Sequence, residues 1–198
     1  MRYIFIVCLS LLFVGCSVTK VPLTEYKIDV DMIQKDLDVK QCQSKSLKVS
    51  QSFSSIKLKT LNMNYTQGRS KIYTYSQSIW NQSPNEAITS EVTKMLRDKN
   101  IFKTVQISKS RVKSDLILEI TIDKFIQTFD DELKNSYADI AINFTIIDAK
   151  TNTVISSKSF KDKEKTDTLD AMGGVEALNK ALSKILGDSV DWFEEVCR

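Results

Sequence analysis

Leu116-Ile-Leu-Glu-Ile-Thr-Ile122 sets large aliphatic residues at 116, 118, 120 and 122, with Glu119 and Thr121 between the last three. A period of two marks a strand with one buried face. Phe125 and Phe129 continue the apolar series on the opposite parity, so a bulge or bend is expected near Asp123-Lys124. The polar tip Asp130-Asp131-Glu132 follows. Ala138, Ile140, Ile142, Phe144 and Ile146 then alternate again, and Asp148 to Asn152 turns the chain into a strand over 154–160.

Working outward toward the N-terminus, Val105 and Ile107 suggest a short strand. Before it, Ser83-Pro84-Asn85-Glu86 has the form of a capping box with proline at the first helical position. Ile88, Val92, Met95 and Leu96 make one apolar helix face, which frays at Lys99-Asn100. Gln67-Gly68-Arg69 predicts a turn, with Lys71–Tyr75 returning as a hairpin strand toward Trp80. Leu47, Val49, Gln51 and Phe53 alternate, and Ile56 and Leu58 resume after a shift near Ser54-Ser55. Tyr26, Ile28 and Val30 suggest a first short strand. Toward the C-terminus, Val175, Leu178, Leu182, Ile185, Leu186 and Phe193 form the stripe of a closing helix. Gly173-Gly174 reads as a turn opening that helix, and Gly187 inside it suggests a close pass over the sheet. The fold class is therefore α/β (α+β): a two-layer domain, a largely antiparallel mixed sheet packed by two main amphipathic helices. The strand–helix order is too irregular for a doubly wound nucleotide fold.

The first residues decide the address. Arg2 leads an apolar run to Val14, about 12 residues and too short for the roughly 17–25 of a spanning helix. The run ends at Phe13-Val14-Gly15-Cys16, which resembles a bacterial lipobox, with Phe in place of the usual Leu. The resemblance implies a signal peptide over 1–15, removed before Cys16, whose thiol carries a diacylglycerol while the new N-terminus is acylated, as with palmitate. Two or more chains anchor stably, because each buried methylene contributes about 0.8 kcal/mol. Residues 16–24 form a lipidated tether and 25–198 a single domain. Ser17, where enteric lipoproteins held at the inner membrane carry Asp, favours the outer membrane, with the domain facing the periplasm.

Lysine plus arginine number 28 and aspartate plus glutamate 25. That balance leaves no field suited to nucleic acid. With Cys8 in the signal and Cys16 acylated, Cys42 and Cys197 remain. In an oxidising compartment they are expected to form a disulfide, worth up to about 5 kcal/mol by the chain-entropy argument; two buried free thiols are the alternative. The chain has no histidine. The commonest general base and metal ligand is thus missing, and no nucleophile elbow, phosphate loop or zinc spacing replaces it. Neither catalytic residues, a metal site nor a cofactor is expected beyond the covalent lipid at Cys16, and the protein is not read as an enzyme. Asp130, Asp131 and Glu132 read as a solvated hairpin tip. Trp80 and Trp192 pack as core or rim, or mark a partner surface.

The order of these elements resembles the ABC-type transport auxiliary lipoproteins, the family that includes the PqiC lipoprotein. The residues that carry the resemblance are Cys16, the strand at Tyr26, Leu47-Lys-Val-Ser-Gln-Ser-Phe53, Tyr73-Thr-Tyr75 with Trp80 and the capped helix after it. The strand ending at Phe125, the one over 138–147 and the closing helix complete it. Ile79 and Asn81 flank the Trp where the family often has a basic residue and Ala. The resemblance implies an auxiliary, non-catalytic subunit of an intermembrane lipid transport system, with an MCE-domain protein and an ABC-type permease complex as partners and a homo-oligomer as one mode of assembly. An outer-membrane assembly lipoprotein of the lipopolysaccharide-translocon or pilotin type is the alternative. A lipoprotein with its own acyl-chain pocket is a third.

Overall fold

The computed structural model describes residues 22–31 and 41–196. The signal at 1–15, Cys16, most of the tether and Cys197 lie outside the described residues. The strands are β1 (Thr24–Tyr26), β2 (Ser46–Val49), β3 (Phe53–Ser54), β4 (Asn62–Gln67), β5 (Lys71–Trp80), β6 (Thr104–Ile107), β7 (Leu116–Phe129), β8 (Ser136–Asp148) and β9 (Thr153–Lys165). Helix α1 spans Pro84–Asp98 and α2 Ala171–Glu195. Short 3-10 turns occupy Gln41–Ser44 and Ile56–Lys59.

β7 is the spine of the sheet. One edge pairs antiparallel with β8 along its length, and β9 lies antiparallel outside β8. The other edge is shared by three short parallel partners in turn: β2 at 116–118, β3 at 121–122 and β4 at 127–129. β6 extends from β2, and β5 then β1 extend from β4. Parallel contacts are short and antiparallel ladders long, which gives the mixed, largely antiparallel sheet expected. Ala138, Ile140, Phe144 and Ile146 of β8 are fully buried, as are Leu118 and Ile120 of β7. They face α1 and α2 in one continuous core. Each such Leu, Ile or Phe burial stabilises by about 1.5–3 kcal/mol, so the two alternating strands hold the layers together.

The bulge falls where expected: the β7/β8 register shifts between Ile122 and Lys124. An unexpected parity change lies upstream. Val49 pairs with Leu118 but Phe53 with Thr121, so four steps on one strand span three on the other. The extra residue turns Phe53 to the outer face, 56% exposed, instead of into the core. Ser52 is buried at that kink and donates to the Asn85 carbonyl at 2.8 Å. The chain then forms a 3-10 turn, not a continuing strand, and leaves Ile56 exposed.

The helix start at Pro84 stands, but Ser83 makes no side-chain cap. The Glu86 N–H that a capping serine would accept donates instead to the Ser83 carbonyl. β1 stops at Tyr26, and Ile28 and Val30 are buried in an extended strap along α2 rather than in a strand. Asn179 accepts from Asp29 N–H and donates to the Lys27 carbonyl, while Ser183 donates to the Asp31 carbonyl. The start of β1 also has a local cause. Asn81 N–H donates to Tyr26 C=O, so by alternation position 22 would face β5 with its nitrogen, and Pro22 has no N–H to give.

Gly187 does not mark a close approach: a Cβ there would meet nothing within 4 Å. Gly187→Ala is therefore expected to stabilise the domain by about 0.5–1 kcal/mol, raising the midpoint of thermal unfolding by about 1–4 °C. A lowered midpoint in a calorimetric scan would show a contact at this position.

Candidate functional site

Because three short strands share one edge of β7, that edge has a gap. No strand pairs with it between Ile122 and Gln127. Beside the gap the β4/β5 ladder is also broken, jumping from Asn62↔Ile79 to Asn64↔Thr74. The result is a breach in the sheet, a cavity of ≈ 240 Å³ bounded by residues 123–127 of β7, β4, β5 and the first turns of α2. Met63, Trp80, Phe125 and Leu178 line it and are buried; Lys57, Asn62, Ile72, Asp123 and Lys124 line it and are exposed.

The bulge at Asp123 sets what faces inward beyond it. Phe125, Gln127 and Phe129 all take the buried parity. Gln127 is 2% exposed, yet its polar atoms are engaged. Tyr75 donates its hydroxyl to Gln127 Oε1 at 2.8 Å; Gln127 Nε2 donates to Ser136 Oγ at 2.7 Å and to the Asp170 carbonyl at 3.1 Å. Burial, with Tyr65 and Asp170 adding to it, pushes the Tyr75 hydroxyl above the usual phenol range, so it stays a neutral donor. Tyr65 packs between Tyr73, Tyr75 and Phe129, with centroids at 5.4, 4.6 and 5.4 Å.

Asp170 ties this network to α2. Its side chain caps the helix by accepting from Gly173 N–H at 2.9 Å, and Thr168 donates to it at 2.7 Å. Those bonds, the Gly173 N–H first, hold its carboxyl below the usual range. Its carbonyl also accepts from Gly174 N–H. Gly174 sits against Gln127: a Cβ there would fall 2.6 Å from Cδ and nearer still to Oε1. The glycine pair does open the helix, and its second member is there because Gln127 needs the space.

Trp80 and Trp192 are both buried in the core, Trp80 on the cavity wall. Trp80 packs on Phe125 at 6.0 Å on the cavity wall. Trp192 donates Nε1–H to Ser156 Oγ at 3.1 Å and sits among Phe144, Phe160 and Phe193. Cys42 is buried, with Sγ 3.6 Å from the Phe193 carbonyl oxygen on the last turns of α2. At the β7–β8 tip, Asp130 accepts from Asn135 Nδ2 and Lys134 N–H, and those bonds, Asn135 first, lower its pKa. That acidic group shapes a turn. Gln127 is the residue that periodicity missed. The shift of parity after the expected bulge places it inward, between two phenylalanines.

Among the described residues, no group of three His, Cys, Asp or Glu side chains is placed to hold a metal ion. No described helix is long and apolar enough to cross a membrane. The breach has Met63, Trp80, Phe125 and Leu178 as buried walls, and its buried polar side chain, Gln127, is hydrogen-bonded within the fold.

The family model of the ABC-type transport auxiliary lipoprotein component matches residues 40–188. No curated protein matches the chain. Among solved structures, a DUF330-family protein from Xanthomonas campestris superposes with a TM-score of 0.78 at 17% identity, covering 87% of this chain and 96% of that one. An uncharacterized protein gives a TM-score of 0.65 at 11% identity, covering 88% and 99%. At such identities the likeness is one of fold.

Proposed function

We propose, on the premise that this chain belongs to the ABC-type transport auxiliary lipoprotein family, that it is the lipid-anchored, non-catalytic subunit of an intermembrane lipid transport system. The observation that carries this reading is the family match, which spans most of the folded domain from residue 40 to residue 188. Its partners in this reading are an MCE-domain protein and an ABC-type permease complex. A diacylglycerol on Cys16 holds it to the outer membrane with the domain in the periplasm, where copies assemble. The protein's work in this reading is to bind and present a surface, as the family description of an auxiliary component supports.

Cross-linking the protein in its native envelope, isolating it and identifying the attached chains by mass spectrometry tests this. An MCE-domain protein or its permease is the expected product. An outer-membrane β-barrel recovered in their place would overturn the reading in favour of an assembly lipoprotein.

A further inference from the structure

We propose that the breach in the sheet binds a single acyl chain of a zwitterionic phospholipid. The inference rests on the lipid-transport reading for where such a lipid comes from, but the cavity chemistry is independent of it.

Size comes first. At ≈ 240 Å³ the cavity is below the roughly 300–1,000 Å³ of pockets that enclose a drug-sized ligand. It takes part of one chain, not a whole lipid. The interior decides the chemistry. Met63, Trp80, Phe125 and Leu178 supply the buried walls. Both amide hydrogens of Gln127 are donated within the fold, and its oxygen accepts from Tyr75. The part-buried Asn64 and Thr66 on the wall are also bonded, to Thr74 and Thr128, so a polar ligand would surrender its own hydration there for no free side-chain donor in the interior, at a cost of about 1–3 kcal/mol per group. Water needs two to four polar partners to reside in a cavity, and the buried side chains Met63, Trp80, Phe125 and Leu178 offer it none. Hydrocarbon is the chemistry that gains.

Charge at the outer end selects the head group. Lys124 is paired with Asp139 at 2.9 Å. Lys57 and Asp123 also line the cavity and make no ion pair among the described residues. One exposed cation and one exposed carboxylate on the lining of the same cavity complement a phosphate and an ammonium, the two charges of a phosphoethanolamine head. A purely anionic or cationic amphiphile would leave one of them opposed.

Trp80 is a built-in reporter, since it lines the cavity and Trp192 does not. The probe is a lysophosphatidylethanolamine with a dibrominated stearoyl chain, because bromine quenches an indole that it touches. The protein is the mature-length chain carrying Cys16→Ser, which alters no described residue and has no lipid of its own. Saturable quenching is expected, complete in Trp192→Phe, where Trp80 is the sole indole, and absent in Trp80→Phe. Lys57→Glu, at an exposed position, is expected to weaken binding by about fivefold or more, equivalent to about 1 kcal/mol. No saturable quenching in Trp192→Phe overturns the proposal, as does equal quenching of Trp192. Binding by the Cys16→Ser chain but not by the lipidated chain also overturns it, since the anchor's own acyl chain would then be the occupant. Purified protein without partners is used. Quenching with no MCE cross-link therefore sinks only the transport reading, and a cross-link with no quenching sinks only this one.

Discussion

Cys42→Ala is expected to lower the free energy of unfolding by up to about 5 kcal/mol in non-reducing buffer, and Cys197→Ala and the double variant by about the same amount. In a domain of this size that is a fall in thermal midpoint of about 10–20 °C. The expectation rests on the bridge proposed between Cys42 and Cys197. Cys42 lies in the first 3-10 turn, and its Sγ is 3.6 Å from the Phe193 carbonyl oxygen. Cys197 follows Phe193 by four residues in the sequence. A bridge would close nearly the whole folded chain into one loop, where the entropy removed from the unfolded state is largest, and native strain subtracts from the figure. Equality of the three variants is the diagnostic. Each breaks the same bond, so losses do not add; independent buried thiols would give losses that sum. Reductant should destabilise the parent and leave the variants unchanged. Two alkylatable thiols in the unreduced, denatured mature chain would sink the bridge.

The parts of the fold that could be read in advance are those where one strand alone decides. β7 and β8 alternate over their own lengths, so the residues at 116–122 and 138–146 reveal strand, face and the bulge at Asp123 without reference to a partner. α1 and α2 are legible for the same reason, as stripes of buried residues. The misses are relational. Phe53 turns outward because the segment from Val49 to Phe53 carries one residue more than the stretch of β7 beside it, and the count appears only when the strands are laid together. β4, Asn62–Gln67, has a single fully buried side chain, Met63, and so no apolar period to read. The breach is the extreme case. It exists because β2, β3 and β4 together do not fill one edge of β7, a property of no single segment.

Gly174→Ala tests the junction of helix, strand and cavity, with a net loss of about 2–4 kcal/mol expected in urea unfolding. In most helices the change would help by about 1 kcal/mol, as it is expected to do at Gly187 in the same helix. At 174 the new methyl would fall 2.6 Å from Gln127 Cδ, and one side chain must give way. Gln127 is not free to swing. Its amide is held by Tyr75, Ser136 and the Asp170 carbonyl, and Ser136 is 1% exposed. Displacing it strands those buried groups at about 1–3 kcal/mol each, which outweighs the gain in helix propensity. Opposite signs at two glycines of one helix would exclude propensity as the cause. A double-mutant cycle identifies what is. In a Gln127→Ala background the methyl has room, so Gly174→Ala should cost little there and the coupling should be about 2 kcal/mol or more. Additive losses would mean that the clash lies elsewhere, and that Gln127 does not brace α2 against the sheet. If the coupling is found, the same bracing fixes the cavity: Gly174 lets α2 approach, Gln127 closes the polar network, and the space left beside Phe125 and Trp80 stays apolar.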